Sequence, residues 1–186
     1  MFIFIGDSLT YGYGVHKNEG WVYKISENTS LNVINKGING DTTPSMLNRF
    51  YDDVISKKPD SIFIMGGTND LLCGRSISSI IDNIEEMIKD AIAINSNIYI
   101  GIPPCIISKM ANKLFMPSNL YNYCEKHLPI LRNKLITLCN SYCIKYIDFY
   151  SLALNNLNND IYIDGIHLNA FGNNLMFQEA VKVISK

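Results

Sequence analysis

The chain is short of most features that mark specialised proteins. It has no C-x-x-C pair. Its five cysteines, at positions 73, 105, 124, 139 and 143, are odd in number and scattered, which argues against a disulfide framework and a tetrahedral zinc site. Reduced thiols used as small buried apolar groups are the expectation. An excess of one charge is also missing: 16 Lys and Arg face 17 Asp and Glu, a formal net charge of −1. Nothing therefore pulls the molecule as a whole toward nucleic acid or an anionic membrane. No uncharged apolar stretch reaches the roughly 18 residues that cross a bilayer, so no integral membrane segment is expected. The first β-prone run, Phe2 to Ile5, has neither a basic region before it nor a small-residue cleavage site after it. No export signal is read, and the expected location is a reducing cytoplasm.

What remains is an ordinary globular composition, 47% hydrophobic and 18% charged over 186 residues. A chain of this size hides roughly 70% of its unfolded surface, enough for a core without staples or metals. No repeat, low-complexity tract or linker divides it, so residues 1–186 are expected to form a single domain.

Five short β-prone runs, Phe2 to Ile5, Leu31 to Ile34, Ser61 to Met65, Asn97 to Ile102 and Ile144 to Ile147, alternate with helical patterns. The runs are apolar almost throughout, as strands are when helices cover both faces of a parallel sheet. Helical spacing is clearest at Ile77, Ile80, Ile81, Ile84, Ile88, Ala91 and Ile92, and recurs at Met46, Leu47, Phe50 and Val54. It recurs again from Leu128 to Tyr142, where Pro129 predicts a helix that starts or bends, and from Phe171 to Ile184. Five strands and about five helices in alternation predict an α/β fold: three layers, with a doubly wound five-stranded parallel sheet between helices. The stretch from Pro103 to Ser118 is long for a connection and rich in Ile, Met and Phe, which suits a substrate-covering flap or pocket wall as well as a structural insertion.

In such a sheet every strand's carboxyl end faces one edge, and the residues that follow the strands converge there. After the first strand comes Gly6-Asp7-Ser8-Leu9-Thr10, after the second Gly37-Ile38-Asn39-Gly40-Asp41, after the third Gly66-Gly67-Thr68-Asn69-Asp70, and beyond the fifth Asp164-Gly165-Ile166-His167. Alone, Ser8 is better explained as a helix N-cap than as a nucleophile, and one asparagine among 22 says little. Histidine is more informative, because there are three. His16 and His127 lie in polar or helical surroundings and read as solvated surface residues. His167 alone has a carboxylate three residues earlier and a place past the last strand. Together these are the parts of acyl transfer: a hydroxyl nucleophile, an imidazole base, a carboxylate that fixes its tautomer, and donors for an oxyanion from the Ser8 and Gly40 N–H groups and the Asn69 amide. Asp7, Asp41 and Asp70 read as turn-bracing carboxylates.

In these four blocks the sequence resembles the SGNH hydrolases, also called GDSL esterases and lipases, over almost its whole length. Gly67-Thr68-Asn69-Asp70 fits the G-x-N-D block and Asp164 to His167 fits D-x-x-H. The stretch from Asn35 to Thr42 is similar to the small bacterial thioesterase/arylesterase/lysophospholipase branch. The resemblance implies a flavodoxin-like fold and the catalytic residues Ser8, Asp164 and His167. It implies an oxyanion hole of Ser8, Gly40 and Asn69. It implies a small-molecule ester substrate, hydrolysed with no metal or organic cofactor: a short- to medium-chain acyl ester, a lysophospholipid or a thioester. The apolar 103–118 stretch inclines the expectation toward acyl chains over acetyl groups. The alternatives are a carbohydrate O-acetyl esterase of the same family and a catalytically silent acyl- or sugar-binding module. A flavodoxin-type electron carrier would leave Asn69 and the Asp164/His167 pair without a role.

Overall fold

The structure, a computed structural model, describes residues 1–184. Five parallel strands, β1 (Phe2–Gly6), β2 (Val33–Gly37), β3 (Ser61–Met65), β4 (Asn97–Ile102) and β5 (Lys145–Asp148), form one sheet in the order β2-β1-β3-β4-β5. The order reverses between β1 and β3, the switch point of the flavodoxin-like doubly wound fold. Three-layer α/β/α architecture, as expected, follows from the side-chain alternation of the inner strands. Ile3, Ile5, Ile62 and Ile64 join one buried cluster and Phe2, Phe4, Phe63 and Met65 the other.

The isoleucine face is covered by α3 (Thr43–Asp53), α5 (Ile77–Ala93) and α7 (Asn119–Ser141), through Met46, Phe50, Ile84, Ile88, Leu131 and Leu135 among others. The phenylalanine face is covered by α2 (Trp21–Asn28), α8 (Phe149–Leu154) and α9 (Ala170–Ile184). At its centre the fully buried Trp21 meets Phe4, Phe63 and Phe149 edge-on, with ring centroids 5.2–5.6 Å apart. The short helices α1 (Ser8–Tyr11), α4 (Thr68–Leu72) and α6 (Ser108–Leu114) lie at the carboxyl edge or beside it.

Several expectations need correction. Among the described residues there are nine α-helices rather than about five, because helices of four to eight residues are too short to carry a periodic stripe. β2 begins at Val33 and runs to Gly37, not from Leu31 to Ile34; it is a half-exposed edge strand, free to include Asn35 and Lys36, and its register is fixed by pairing Phe2 with Val33 and Gly6 with Gly37. β5 likewise starts at Lys145 and ends on Asp148, whose carboxylate accepts from the Ser151 N–H to cap α8. Helix α7 starts at Asn119, capped by Ser118, and runs through Pro129, since Cys124, Leu128 and Leu131 bury one continuous face on both sides of the ring. The 103–118 stretch contains α6, so it is not a bare loop. Cys105, Cys124 and Cys139 are buried as expected, whereas Cys73 and Cys143 are exposed; all five are free. Among the described residues no helix is long and apolar enough to cross a membrane.

Candidate active site

The ends of β1, β2 and β3 are level: Gly6 sits opposite Gly37 on one side and Met65 on the other. The three turns that follow therefore open side by side at the switch point. Ser8 is the first residue of α1, and Asp7 caps that helix by accepting from the Leu9 N–H at 2.9 Å. Asp7 is buried, and burial pushes its carboxyl up to about 7, against the lowering effect of the Leu9 N–H and of His167. Behind the turn, the indole N–H of Trp21 donates to the Leu9 carbonyl at 2.8 Å, which ties the serine to the aromatic core.

His167 comes from the connection between Asp160 and α9, and reaches Ser8 across 159 residues of sequence. Its Nε2 lies 2.9 Å from Ser8 Oγ, and its Nδ1 lies 2.7 Å from Asp164 Oδ2. The other Asp164 oxygen accepts from the Ile166 and His167 N–H groups, both at 2.8 Å, so the carboxylate is fixed before it meets the ring. Burial alone would raise the Asp164 carboxyl, but the hydrogen bond from the His167 ring and the two backbone N–H groups outweigh it and hold it below its ordinary value. An imidazole bonded at Nδ1 to a carboxylate and at Nε2 to a hydroxyl is set to take a proton from that hydroxyl.

Gly40 lies in the exposed turn after β2 with φ at 77°, in the left-handed region that favours glycine. Among the described residues no hydrogen bond uses the Ser8 or Gly40 N–H. Asn69, on α4, donates from Nδ2 to the Asp41 carbonyl at 2.9 Å; its second N–H is only loosely engaged, with Asp7 Oδ2 3.4 Å away. Asp70 joins this turn to the next by accepting from the Thr43 N–H and hydroxyl at 2.8–3.2 Å, and burial raises its carboxyl despite those bonds. Ser8, Asp164 and His167 are thus in contact, while Gly40 and Asn69 flank them on neighbouring turns.

His16 is exposed, as expected, but His127 is half-buried, with Nδ1 2.7 Å from the Tyr123 carbonyl and its ring stacked on Tyr123. Two further residues belong to the site. The Tyr13 ring lies 4.5 Å from the His167 ring, and buried Asn173 accepts from the Trp21 N–H while donating to the Leu168 carbonyl, so the serine and histidine segments share one anchor. Tyr13, between Gly12 and Gly14 and five residues past Ser8, had a sequence signal of its own; Asn173, inside a helix among many asparagines, had none.

A gap of about 10 Å³ bordered by Ser8, Tyr13 and His167 runs back to the buried Leu168, Asn173 and Met176. Larger depressions flank it. One of about 210 Å³ is walled by Leu72, Phe115, Leu120, Tyr121 and Ile166, and another of about 490 Å³ lies between α2, β2 and the Tyr11–Lys17 segment, away from the imidazole. The 103–118 stretch has two parts: Ile106 is buried and the Ile107 N–H donates to the Gly165 carbonyl at 2.7 Å, bracing the histidine turn, whereas Leu114, Phe115 and Met116 are exposed. Among the described residues no three His, Cys, Asp or Glu side chains come together as metal ligands.

A model of the GDSL-like lipase/acylhydrolase family matches residues 4–175. The chain belongs to this family. Lipases and acylhydrolases cleave carboxylic esters, and the four turns described above lie in or beside the matched region. A 72-residue stretch is 42% identical to the uncharacterized lipoprotein YqeF of Bacillus subtilis strain 168, covering 35% of this chain and 30% of that protein. A 52-residue stretch is 38% identical to an acetylxylan esterase of Geobacillus stearothermophilus, covering 28% of this chain and 24% of that one. The matches therefore span less than a third of these relatives' lengths. Among solved structures, a member of the lipolytic G-D-S-L family from Veillonella parvula superposes with a TM-score of 0.83 at 24% identity, over 100% of this chain and 98% of that one. A catalytic mutant of the acetylxylan esterase Axe2 from Geobacillus stearothermophilus gives 0.80 at 17% identity, over 98% and 93%. At these identities the likeness carries the fold.

Proposed function

We propose that this GDSL-family chain is a serine esterase that cleaves carboxylic esters through an acyl-enzyme on Ser8. The observation that carries the proposal is the unbroken relay from Ser8 Oγ to His167 at 2.9 Å and on to Asp164 at 2.7 Å. His167 Nε2 takes the hydroxyl proton as Ser8 Oγ attacks the ester carbonyl, and Asp164 stabilises the imidazolium that results. The tetrahedral oxyanion is met by the N–H groups of Ser8 and Gly40 and by the loosely held N–H of Asn69. His167 then gives its proton to the leaving alcohol. Water, deprotonated by the same imidazole, attacks the acyl-enzyme, and the second tetrahedral intermediate collapses to release the acid and restore Ser8. The roles need no metal or organic cofactor, and full activity is expected after dialysis against a chelator.

The substrate is a small-molecule ester with a short- to medium-chain acyl group, a lysophospholipid or a thioester; the apolar depression between Leu72, Phe115 and Ile166 supports an acyl chain. A second reading, carbohydrate O-acetyl hydrolysis, is favoured by the relative named acetylxylan esterase. The free thiols support work in a reducing compartment such as the cytoplasm. The test is hydrolysis of p-nitrophenyl esters from acetate to decanoate beside an acetylated xylooligosaccharide, with Ser8→Ala as control. Turnover that peaks above acetate and vanishes in Ser8→Ala is expected. A strong preference for the acetylated sugar would move the assignment to the second reading. Turnover retained in Ser8→Ala, or a wild type that neither hydrolyses esters nor is labelled by an organophosphonate, would end it and leave a silent binding module.

A further inference from the structure

Arg49 projects from the middle of α3 and is largely buried, yet the mechanism above gives it no role. Its guanidinium makes five contacts that join the ends of strands to the turns beyond them. Nε donates to Asp41 Oδ2 at 2.8 Å, and Nη2 pairs electrostatically with the same oxygen at 2.7 Å. Nη2 also donates to the carbonyl of Lys36, near the end of β2, at 2.9 Å, and to that of Gly6, at the end of β1, at 3.2 Å. Nη1 donates to Asp53 Oδ2 at 2.7 Å, and Asp53 in turn accepts from Lys36 Nζ at 2.7 Å, which fixes the guanidinium from its own helix.

Apart from Asp53, each partner leads to an oxyanion donor. Gly6 is two residues before Ser8. Lys36 leads into the turn that carries Gly40, and Asp41 is the next residue after Gly40. The Asp41 carbonyl is also the acceptor that holds Asn69 Nδ2, at 2.9 Å. A single planar cation thus fixes the spacing of three donors that come from three different strand ends. We infer that Arg49 is a positioning residue for ester cleavage, holding the Ser8, Gly40 and Asn69 donors in the geometry that the tetrahedral oxyanion requires. A lysine keeps the charge, but its single ammonium cannot reproduce the planar fork that reaches Asp41, Lys36 and Gly6 together. Displacing a reacting group by about 1 Å is enough for a loss on the order of 10²-fold.

The inference rests on the esterase proposal, and the experiment separates the two. Arg49→Lys is measured against a p-nitrophenyl ester together with a boronic acid inhibitor that forms a tetrahedral adduct with the serine. Expected are a kcat lower by roughly 10²-fold, a KM within about 3-fold, and boronate affinity falling in parallel with kcat/KM, because the donors act on the tetrahedral species more than on the ground state. A purely structural role would lower the melting temperature and leave kcat per folded molecule unchanged, and that result overturns the inference. If Arg49→Lys does not fold, Asp41→Asn, which weakens the clamp from the other side, is expected to show the same split of kcat from KM; unchanged kcat there overturns it too. A wild type inactive toward all esters sinks the esterase proposal, whereas an active wild type, a dead Ser8→Ala and a fully active Arg49→Lys sink only the role of Arg49.

Discussion

At the scale of single residues, the donors and the buried carboxylates make separable predictions. Asn69→Ala is expected to lower kcat by roughly 10²- to 10³-fold with little change in KM, because the proposed mechanism turns its loosely held N–H on the oxyanion; a loss confined to KM in steady-state kinetics would contradict that. Asp7 predicts a pH effect of definite sign. In the folded chain its carboxyl keeps its proton up to about pH 7, since burial disfavours the charge. The unfolded chain gives that proton up near the ordinary carboxylate value of about 4. Between these limits the native state binds more protons, so the Asp7 contribution to stability falls as pH rises, by at most about 1.4 kcal/mol per pH unit. Asp7→Asn can still cap α1 but has no proton to lose. Its melting temperature relative to wild type is expected to climb between pH 4.5 and 7.5, and a constant difference across that range would rule out the buried proton. The sequence made Ser8, Asp164 and His167 legible because each chemistry-bearing type is either rare or set at a telling offset. Arg49 and Asn173 were not legible, since their meaning lies in carbonyls and side chains that only the folded chain brings to them.

At the scale of elements, the inner strands and long helices were readable and the edges were not. Strands β3 and β4 and helix α5 follow from uninterrupted apolar runs and an isoleucine stripe, both of which report burial on one or two faces. Edge strand β2 escaped by two residues at its start because half of it meets water and its register is set by β1. That register has a steric consequence at Gly37. A Cβ there would lie 2.3 Å from the Tyr11 N and 2.8 Å from its Cα, and 2.9 Å from the Asp7 carbonyl oxygen, all backbone atoms of the turn and helix that carry Ser8. Backbone cannot swing aside as a side chain can, so Gly37→Ala must push α1 away from the sheet. Such overpacking costs about 1–3 kcal/mol, and the displaced serine is expected to lose on the order of 10²-fold in kcat. Thermal denaturation and steady-state kinetics on the same preparation check both; a variant with wild-type turnover would show that α1 has more freedom than this packing allows.

At the scale of the whole molecule, the site belongs to no single segment. Its parts come from the ends of β1, β2 and β3 and from the approach to α9, and Ser8 meets His167 across a sequence separation of 159. Trp21 links that assembly to the core directly: its ring is buried among Phe4, Phe63 and Phe149, its indole N–H holds the Leu9 carbonyl, and its backbone N–H donates to Asn173 beside the histidine segment. It is also the chain's one tryptophan, so its fluorescence reports on this junction alone. If residues 1–186 fold as one cooperative domain, urea should abolish esterase activity and shift the Trp21 emission to the red with the same midpoint, as coincident probes do in an all-or-none transition. A site that formed a weaker, separately melting unit would lose turnover at a urea concentration where the indole is still buried. The two bonds from Trp21 to the serine and histidine segments argue for coincidence: neither segment can leave its place without unsatisfying a buried polar group next to the ring, at about 1–3 kcal/mol for each. Activity that disappears well before the emission shifts would therefore show that the carboxyl-edge turns are held less tightly than this anchoring requires.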